Sequence, residues 1–356
     1  MQAFAGQIRV GIEGLGIYLP EHRHTAAFIS ERSGVPRQVL ETKFGLKSKA
    51  VPGPGDHTVA MAARAAETAI ERAGVNPEDI DLVIWAGEVH AERPMQTYGI
   101  KLQNEVGATR AWAFDINQRC GTFMLAMSLA KSQMATDPAC ERVLIASGYR
   151  NCDLIDYSNP RSRFMFNLAA GGAAVLLRRN HKANIILETS RITDGRFADD
   201  VYVPGGGTVI PLTTAGGGHI PASANRVLKD QLGYLDVPDP EGMKKRLDKL
   251  SMSNFIRVVD ESLERSGYQR KDIDYLGLLH MKDSAFRYVS EQLGVDPEKQ
   301  TTYYDEFVHL GHMGQNDGIV AIEMGLKHKK IHPGSLVVLA AAGIGYAWNA
   351  TTIKWG

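Results

Sequence analysis

The chain has 356 residues, with 40 Lys+Arg against 40 Asp+Glu and 44% hydrophobic residues. That length predicts two domains or one large duplicated one, and the composition is that of a globular protein, not a disordered chain. A formal charge of zero argues against a protein built to hold nucleic acid or an anionic membrane, because both demand surplus cations.

The opening stretch Met1–Arg9 lacks the apolar core of a signal peptide. Residues 57–73 place Val59, Ala62, Ala66, Ala69, Ile70 and Ala73 on one helical stripe, with Asp56 as the expected N-cap and Gly74 at the C′ position. The string ERAGVNPEDID at 71–81 then leads into the apolar strand Leu82–Ala86. Cys120 precedes a run, 121–130, with almost no polar face, which predicts a helix buried on all sides. The glycine clusters 205–207 and 216–218 flank Thr208–Leu212 and lack the Gly-Lys-Ser/Thr ending of a phosphate loop, so they read as a hairpin or lid. Lys244-Lys245-Arg246 and Lys327–Lys330 read as solvated helix faces, at most a docking patch for an acidic carrier or a CoA phosphate. The longest uncharged apolar run, Leu336–Trp348, falls short of the ~18 residues of a membrane span. Cys120, Cys140 and Cys152 form neither a disulfide framework nor a CxxC zinc pair. The expectation is a soluble protein of the reducing cytoplasm.

The chain repeats itself. Residues 264–274, ERSGYQRKDID, echo 71–81, and the strand Tyr275–Leu279 follows as Leu82–Ala86 does. Val337–Ala340 echoes Val143–Ala146, and the helix after Cys120 has a counterpart after His312. Several elements in one order indicate a duplication, with halves 1–180 and 181–356. Continuously apolar strands have both faces covered, so two mixed sheets with helices between and around them satisfy the pattern.

The repeat also gathers the reactive residues. A thiol at a helix N-terminus meets unpaired N–H groups and the positive dipole end, which favour the nucleophilic thiolate, and Arg119 adds positive charge. The bland alternative for Cys120 is a small buried apolar residue; Cys140 and Cys152 have no such setting and read as structural. His280 closes the strand of the second repeat, a common place for catalytic groups in open α/β sheets. His312 occupies the place in the second half that Cys120 holds in the first, and Gly87, beside Glu88, pairs with His280. The duplicated fold therefore brings Cys120, His280, His312 and Glu88 toward one centre, with His309 as a competitor. Ala341–Tyr346 follows the last repeated strand, and its glycines let backbone N–H groups approach that centre, as an oxyanion hole requires.

At these residues the chain resembles the thiolase superfamily, most of all its ketoacyl-ACP synthase III branch. Gly14–Pro20, Thr42–Leu46, Glu71–Ile84, Phe114–Phe123 around the cysteine, Leu279-His280 and the closing Gly343–Trp348 carry the resemblance over nearly the whole length. It implies a five-layered αβαβα duplicated fold with two mixed sheets and a homodimer joined through the first half, with residues 89–97 closing the partner's pocket. Cys120 would take an acyl group from a CoA or acyl carrier protein (ACP) thioester, with the N–H groups of Cys120 and Gly345 holding the oxyanion. A second thioester would then attack as a carbanion. Arg161 and Lys43 would contact CoA, and no permanently bound cofactor is implied.

The departures point away from the housekeeping initiator of fatty-acid synthesis. His312 stands where the branch has asparagine, so the triad resembles the Cys-His-His of elongating synthases. Met281 and Asp283 replace the usual Gln and Asn, Gln118 and Arg119 replace small residues before the cysteine, and Val39 replaces a CoA-stacking tryptophan. Glu88 and the string Ala169–Ala174 resemble hydroxymethylglutaryl-CoA synthases, which use Glu-Cys-His. The expected function is therefore a Claisen-condensing acyltransferase. The alternatives are an aldol-condensing, thiolytic or O/N-acyl-transferring relative, or a non-catalytic partner subunit, which would have no need of the cysteine and both histidines.

Overall fold

The computed structural model describes residues 8–211 and 232–356. The first part carries strands β1 (Val10–Tyr18), β2 (Arg23–Thr25), β3 (Ser48–Ala50), β4 (Leu82–Ala86), β5 (Trp112–Ile116), β6 (Arg142–Tyr149) and β7 (Gly171–Arg179). The second carries β8 (Ile185–Thr193), β9 (Tyr275–Leu278), β10 (Leu336–Gly343) and β11 (Ala347–Lys354). The principal helices are α1 (Ala26–Ser33), α2 (Arg37–Thr42), α3 (Thr58–Ala73), α4 (Tyr98–Glu105), α5 (Thr122–Thr136), α6 (Pro240–Ser266), α7 (Asp283–Leu293) and α8 (Asp317–Lys327).

The strand order is β5-β4-β6-β7-β1 followed by β8-β11-β10-β9, with β2 and β3 paired separately. β4 runs parallel to β5 and β6, and β9 parallel to β10; the remaining neighbours are antiparallel. Where two sheets were expected, the halves meet edge to edge through the single pair Gly11–Ile185. β1 and β8 are each the terminal strand of their half, and this one antiparallel contact joins the two near their starts. α3 and α4 cover the outer face of the first half and α6 that of the second, with α7 packed on α6, while α5 and α8 lie between and touch strands of both. The layers run αβαβα.

β4 shows why its sequence is apolar throughout. Leu82, Ile84 and Ala86 join the core around α5 and α8, while Val83 and Trp85 join the core beneath α3 and α4. α3 sits almost on the sheet backbone: a Cβ at Gly14 of β1 would stand 2.0 Å from the Ala69 carbonyl, and one at Gly148 of β6 1.8 Å from that of Thr58. Gly74 ends α3 in the left-handed conformation at φ 65°, as expected. Asp56 does not cap the helix; His57 holds the N-cap position without a side-chain bond. The Asp56 carboxylate is taken instead by the Tyr18 hydroxyl, the Gly53 N–H and Arg64. A tertiary ion pair outcompetes the local cap.

Candidate active site

Cys120 lies in a short 3₁₀ turn, Arg119–Gly121, that leads into α5, and it is buried. Arg119 enters this turn at φ 53°, a left-handed backbone unusual for a side chain of this size. Thr122 holds the turn, accepting the Gln118 N–H at 2.8 Å and donating to the Arg119 carbonyl. The end of β10 packs on the nucleophile directly: a Cβ at Gly343 would stand 3.0 Å from the Cys120 amide nitrogen. Gly345 follows in the turn between β10 and β11 at φ 103°.

The second central helix delivers the partner. His312 precedes the 3₁₀ turn Gly314–Asn316 that opens α8, and its Nε2 lies 3.3 Å from Cys120 Sγ. Its Nδ1–H donates to Asp317 Oδ2 at 2.6 Å, since a carboxylate only accepts. The same carboxylate accepts the Met313 and His280 main-chain N–H groups at 2.7 and 2.8 Å. Asp317 is 1% exposed, so this charge is satisfied entirely by protein donors. Burial works against a charged His312, yet the Asp317 carboxylate and the Cys120 sulfur together hold its pKa well above the usual histidine value. Cysteine, imidazole and carboxylate thus form a relay of the kind that activates a nucleophile.

His280 is held differently. The strand ends at Leu278, two residues before it, because its N–H leaves the ladder for Asp317. Its Nδ1 accepts from the Asn167 amide at 2.8 Å, and its Nε2–H donates to the Gly45 carbonyl at 2.9 Å. The ring stacks on Tyr303 with centroids 5.4 Å apart. Burial pushes its pKa down to about 4, so it is neutral at pH 7 with both ring nitrogens committed to protein.

A cavity of about 1000 Å³ opens onto these groups and is lined by Cys120, His280, His312 and Glu88 together. Glu88 is buried and bonded to Arg119 at 2.8 Å. The first half of α6 turns Met243, Leu247, Met252 and Phe255 to the cavity, which makes one wall apolar. Arg161 also lines it, with its guanidinium engaged by Asp236 at 2.7 and 2.9 Å. Lys43, in contrast, is exposed at the end of α2 and does not line the cavity; the short turn there points its neighbour Phe44 inward. Two further cations line the cavity: Lys244, from the string read as a solvated helix face or docking patch, and Lys282, which sequence reasoning did not assign a place and which lies 5.4 Å over the Phe44 ring. His309 is exposed and outside the lining, which removes it as a competitor. Gly205–Gly207 line the cavity, whereas the cluster 216–218 lies outside the described residues.

Asp317, Asn167 and the Gly45 carbonyl were not foreseen as site groups. Asp317 alone carried a local signal, an acid at the start of a helix five residues after His312. Among the described residues no group of three or more His, Cys, Asp or Glu is placed to hold a metal ion. No helix among them is long and apolar enough to cross a membrane.

Comparison with known proteins agrees with this fold. The 3-oxoacyl-(acyl carrier protein) synthase III family matches residues 114–195, and the C-terminal family of the same enzymes matches 263–355. A beta-ketoacyl-(acyl carrier protein) synthase III of Symbiobacterium thermophilum is 28% identical over 98% of this chain and 98% of its own. The solved 3-oxoacyl-(acyl carrier protein) synthase III of Aquifex aeolicus shares the fold with a TM-score of 0.81 at 20% identity, over 97% of this chain and all of its own. The priming β-ketosynthase of the R1128 polyketide pathway shares it at 0.79 and 18%, over 100% of this chain and 99% of its own.

Proposed function

This chain belongs to the ketoacyl-ACP synthase III family, and from that premise we propose that it is a condensing acyltransferase working through a Cys120 acyl-enzyme. The observation that carries the reading is the 3.3 Å contact of Cys120 Sγ with His312 Nε2, backed by Asp317 at 2.6 Å, inside a large cavity. The Cys120 sulfur attacks the carbonyl of an acyl-CoA or acyl-ACP thioester. The N–H groups of Cys120 and Gly345 take the oxyanion, and the leaving thiolate accepts the proton of the His312 imidazolium. The α-carbon of a second thioester then attacks the acyl carbon, a carbon–carbon bond forms and the Cys120 sulfur leaves.

His280, which lines the cavity with its ring held by Asn167 and Gly45, acts in this reading as a positioning residue. Arg161, Lys244 and Lys282 supply positive charge for the phosphates of CoA or of an acyl carrier protein. The two halves, 1–180 and 181–356, act as copies of one unit, the first carrying the nucleophile and the second the histidines. The protein works in the cytoplasm as a homodimer with no permanent cofactor. Dimerisation through the first half is supported by its open edge: β5 ends the strand order with Trp112 half exposed and stacked on Phe114, and Val89 and Met95 project from the adjoining loop.

Glu88 favours a second reading of how the carbanion arises. A buried carboxylate in the cavity, fixed by Arg119, is suited to remove an α-proton, so that the donor thioester need not lose CO₂. Intact mass after incubation with a panel of acyl-CoAs, followed by peptide mapping, tests the main reading: an acyl adduct on Cys120 is expected, and no adduct from any donor refutes it. Malonyl and acetyl thioesters offered to the acyl-enzyme then separate the two routes to the carbanion.

A further inference from the structure

Acylation of Cys120 leaves His312 equipped for a second task. Its Nε2 lies 3.3 Å from Cys120 Sγ, and its Nδ1–H is committed to Asp317 at 2.6 Å. Asp317 is 1% exposed and also accepts the Met313 and His280 main-chain N–H groups at 2.7 and 2.8 Å, so its carboxylate is held in place against the ring. The negative Cys120 sulfur is one of the charges that keep His312 protonated at rest, and acylation removes it. Once the leaving thiolate has taken the Nε2 proton, Asp317 still fixes the remaining proton on Nδ1. The Nε2 lone pair then faces the acylated sulfur. Protonated, this nitrogen donates to a carbonyl oxygen, as the condensation route needs. Neutral, it accepts, which is the state of a general base beside an acyl-enzyme.

A carbon nucleophile made by loss of CO₂ brings no proton to such a base. A hydroxyl does: an alcohol is a weak nucleophile until its proton is drawn off as the new bond forms. The cavity, about 1000 Å³, joins the apolar side chains of α6 to the polar groups Glu88, Arg119 and Asn151, so it offers room to an acyl chain and to a polar acceptor together. Cys120 and His312 are 7% and 6% exposed, which favours a bound acceptor over bulk water.

We propose that the Cys120 acyl-enzyme has a second outlet, transfer of its acyl group to the hydroxyl of an alcohol, with His312 as the general base. This rests on the acyl-enzyme part of the reading above and goes beyond its condensation step. The alcohol oxygen attacks the acyl carbon while its proton passes to His312 Nε2. The N–H groups of Cys120 and Gly345 take the oxyanion. Collapse breaks the C–S bond, the ester departs, and the Cys120 thiolate and His312 imidazolium are restored as the pair that began the cycle.

The test uses enzyme acylated by an acyl-CoA and freed of excess donor, then mixed with n-butanol or glycerol near neutral pH. Intact mass follows loss of the acyl group from Cys120, and mass spectrometry of the products separates ester from free acid. Ester is expected, formed faster by on the order of 10²–10⁴ than from the acyl-CoA and the same alcohol alone, the range of general base catalysis. Asp317→Asn, loaded to the same acyl occupancy, should form ester slower by on the order of 10²–10⁴, the scale on which a relay carboxylate acts. Wild-type acyl-enzyme that gives no ester above the uncatalysed rate overturns the proposal, and so does loss of the acyl group to water alone. Equal ester rates in wild type and Asp317→Asn overturn the role of His312 as base. An enzyme that condenses with a malonyl thioester yet forms no ester leaves the parent reading standing and refutes this one, whereas the absence of any Cys120 adduct refutes both.

Discussion

Asp317→Asn tests the relay at its least visible member. The carboxylate accepts three N–H groups, from His312 Nδ1, His280 and Met313, at 2.6, 2.8 and 2.7 Å. An amide of the same shape has one acceptor end. If its oxygen faces His312 and His280, its NH₂ meets the Met313 N–H. If it faces Met313, the NH₂ meets both other donors, and His312 must move its proton to Nε2. Either way a buried donor is left unmatched, at a stability cost of about 1–3 kcal/mol. The larger effect is on charge. Opposite charges about 4 Å apart at an effective dielectric of about 20 attract by about 4 kcal/mol. That is equivalent to about three pKa units, so the raised pKa of His312 should collapse toward or below its ordinary value. Acylation of Cys120, followed by quenched-flow mass measurement from pH 6 to 10, should fall on the order of 10²–10⁴, the scale seen when a relay carboxylate becomes an amide. Its alkaline limb should move to lower pH. Acylation within threefold of wild type with an unmoved limb would refute the view that Asp317 sets the charge of His312.

Brief alkylation near pH 7 should label Cys120 ahead of the other thiols, because burial first, with nearby acids, pushes Cys140 to about 11 and Cys152 to about 12 and only the thiolate reacts; peptide mapping showing Cys140 or Cys152 labelled first counts against Cys120 as nucleophile. His280 takes a proton near pH 6.5 when unfolded and at about 4 when folded, so between those values the unfolded chain binds more protons and stability falls as pH falls. Its share is on the order of 2 kcal/mol lost by pH 5, and urea midpoints of wild type and His280→Gln should converge as the pH is lowered from 7 to 5; parallel pH dependences contradict this. Light scattering at micromolar concentration should give a dimer that Trp112→Glu dissociates, and a monomeric wild type would exclude assembly through the open edge of β5.

Much of the fold was legible because its signals are periodic or repeated. α3 and its Gly74 terminus, the apolar strands Leu82–Ala86 and Tyr275–Leu278, and the helix after Cys120 follow from local pattern, although that helix is not buried on every side, since Leu129 is exposed. The repeat also set Cys120 and His312 at the N-terminal ends of equivalent helices, and their contact across 192 residues follows from that symmetry. What sequence could not decide are the contacts in which side chains compete for partners. Asp56 looks like a cap until Tyr18 and Arg64 are placed beside it. Lys43 and Lys282 are both exposed, and only the packed chain shows that Lys282 lines the cavity and Lys43 does not. Asn167 and Gly45 reach His280 from 113 and 235 residues away, and they turn it from a free donor into a fixed one. Residue period reports which face of an element is buried, and a duplication reports which elements are equivalent. Which donor meets which acceptor is a matter of tenths of an ångström, set only when the αβαβα layers pack, and it is there that Asp317 and Asn167 meet the two histidines.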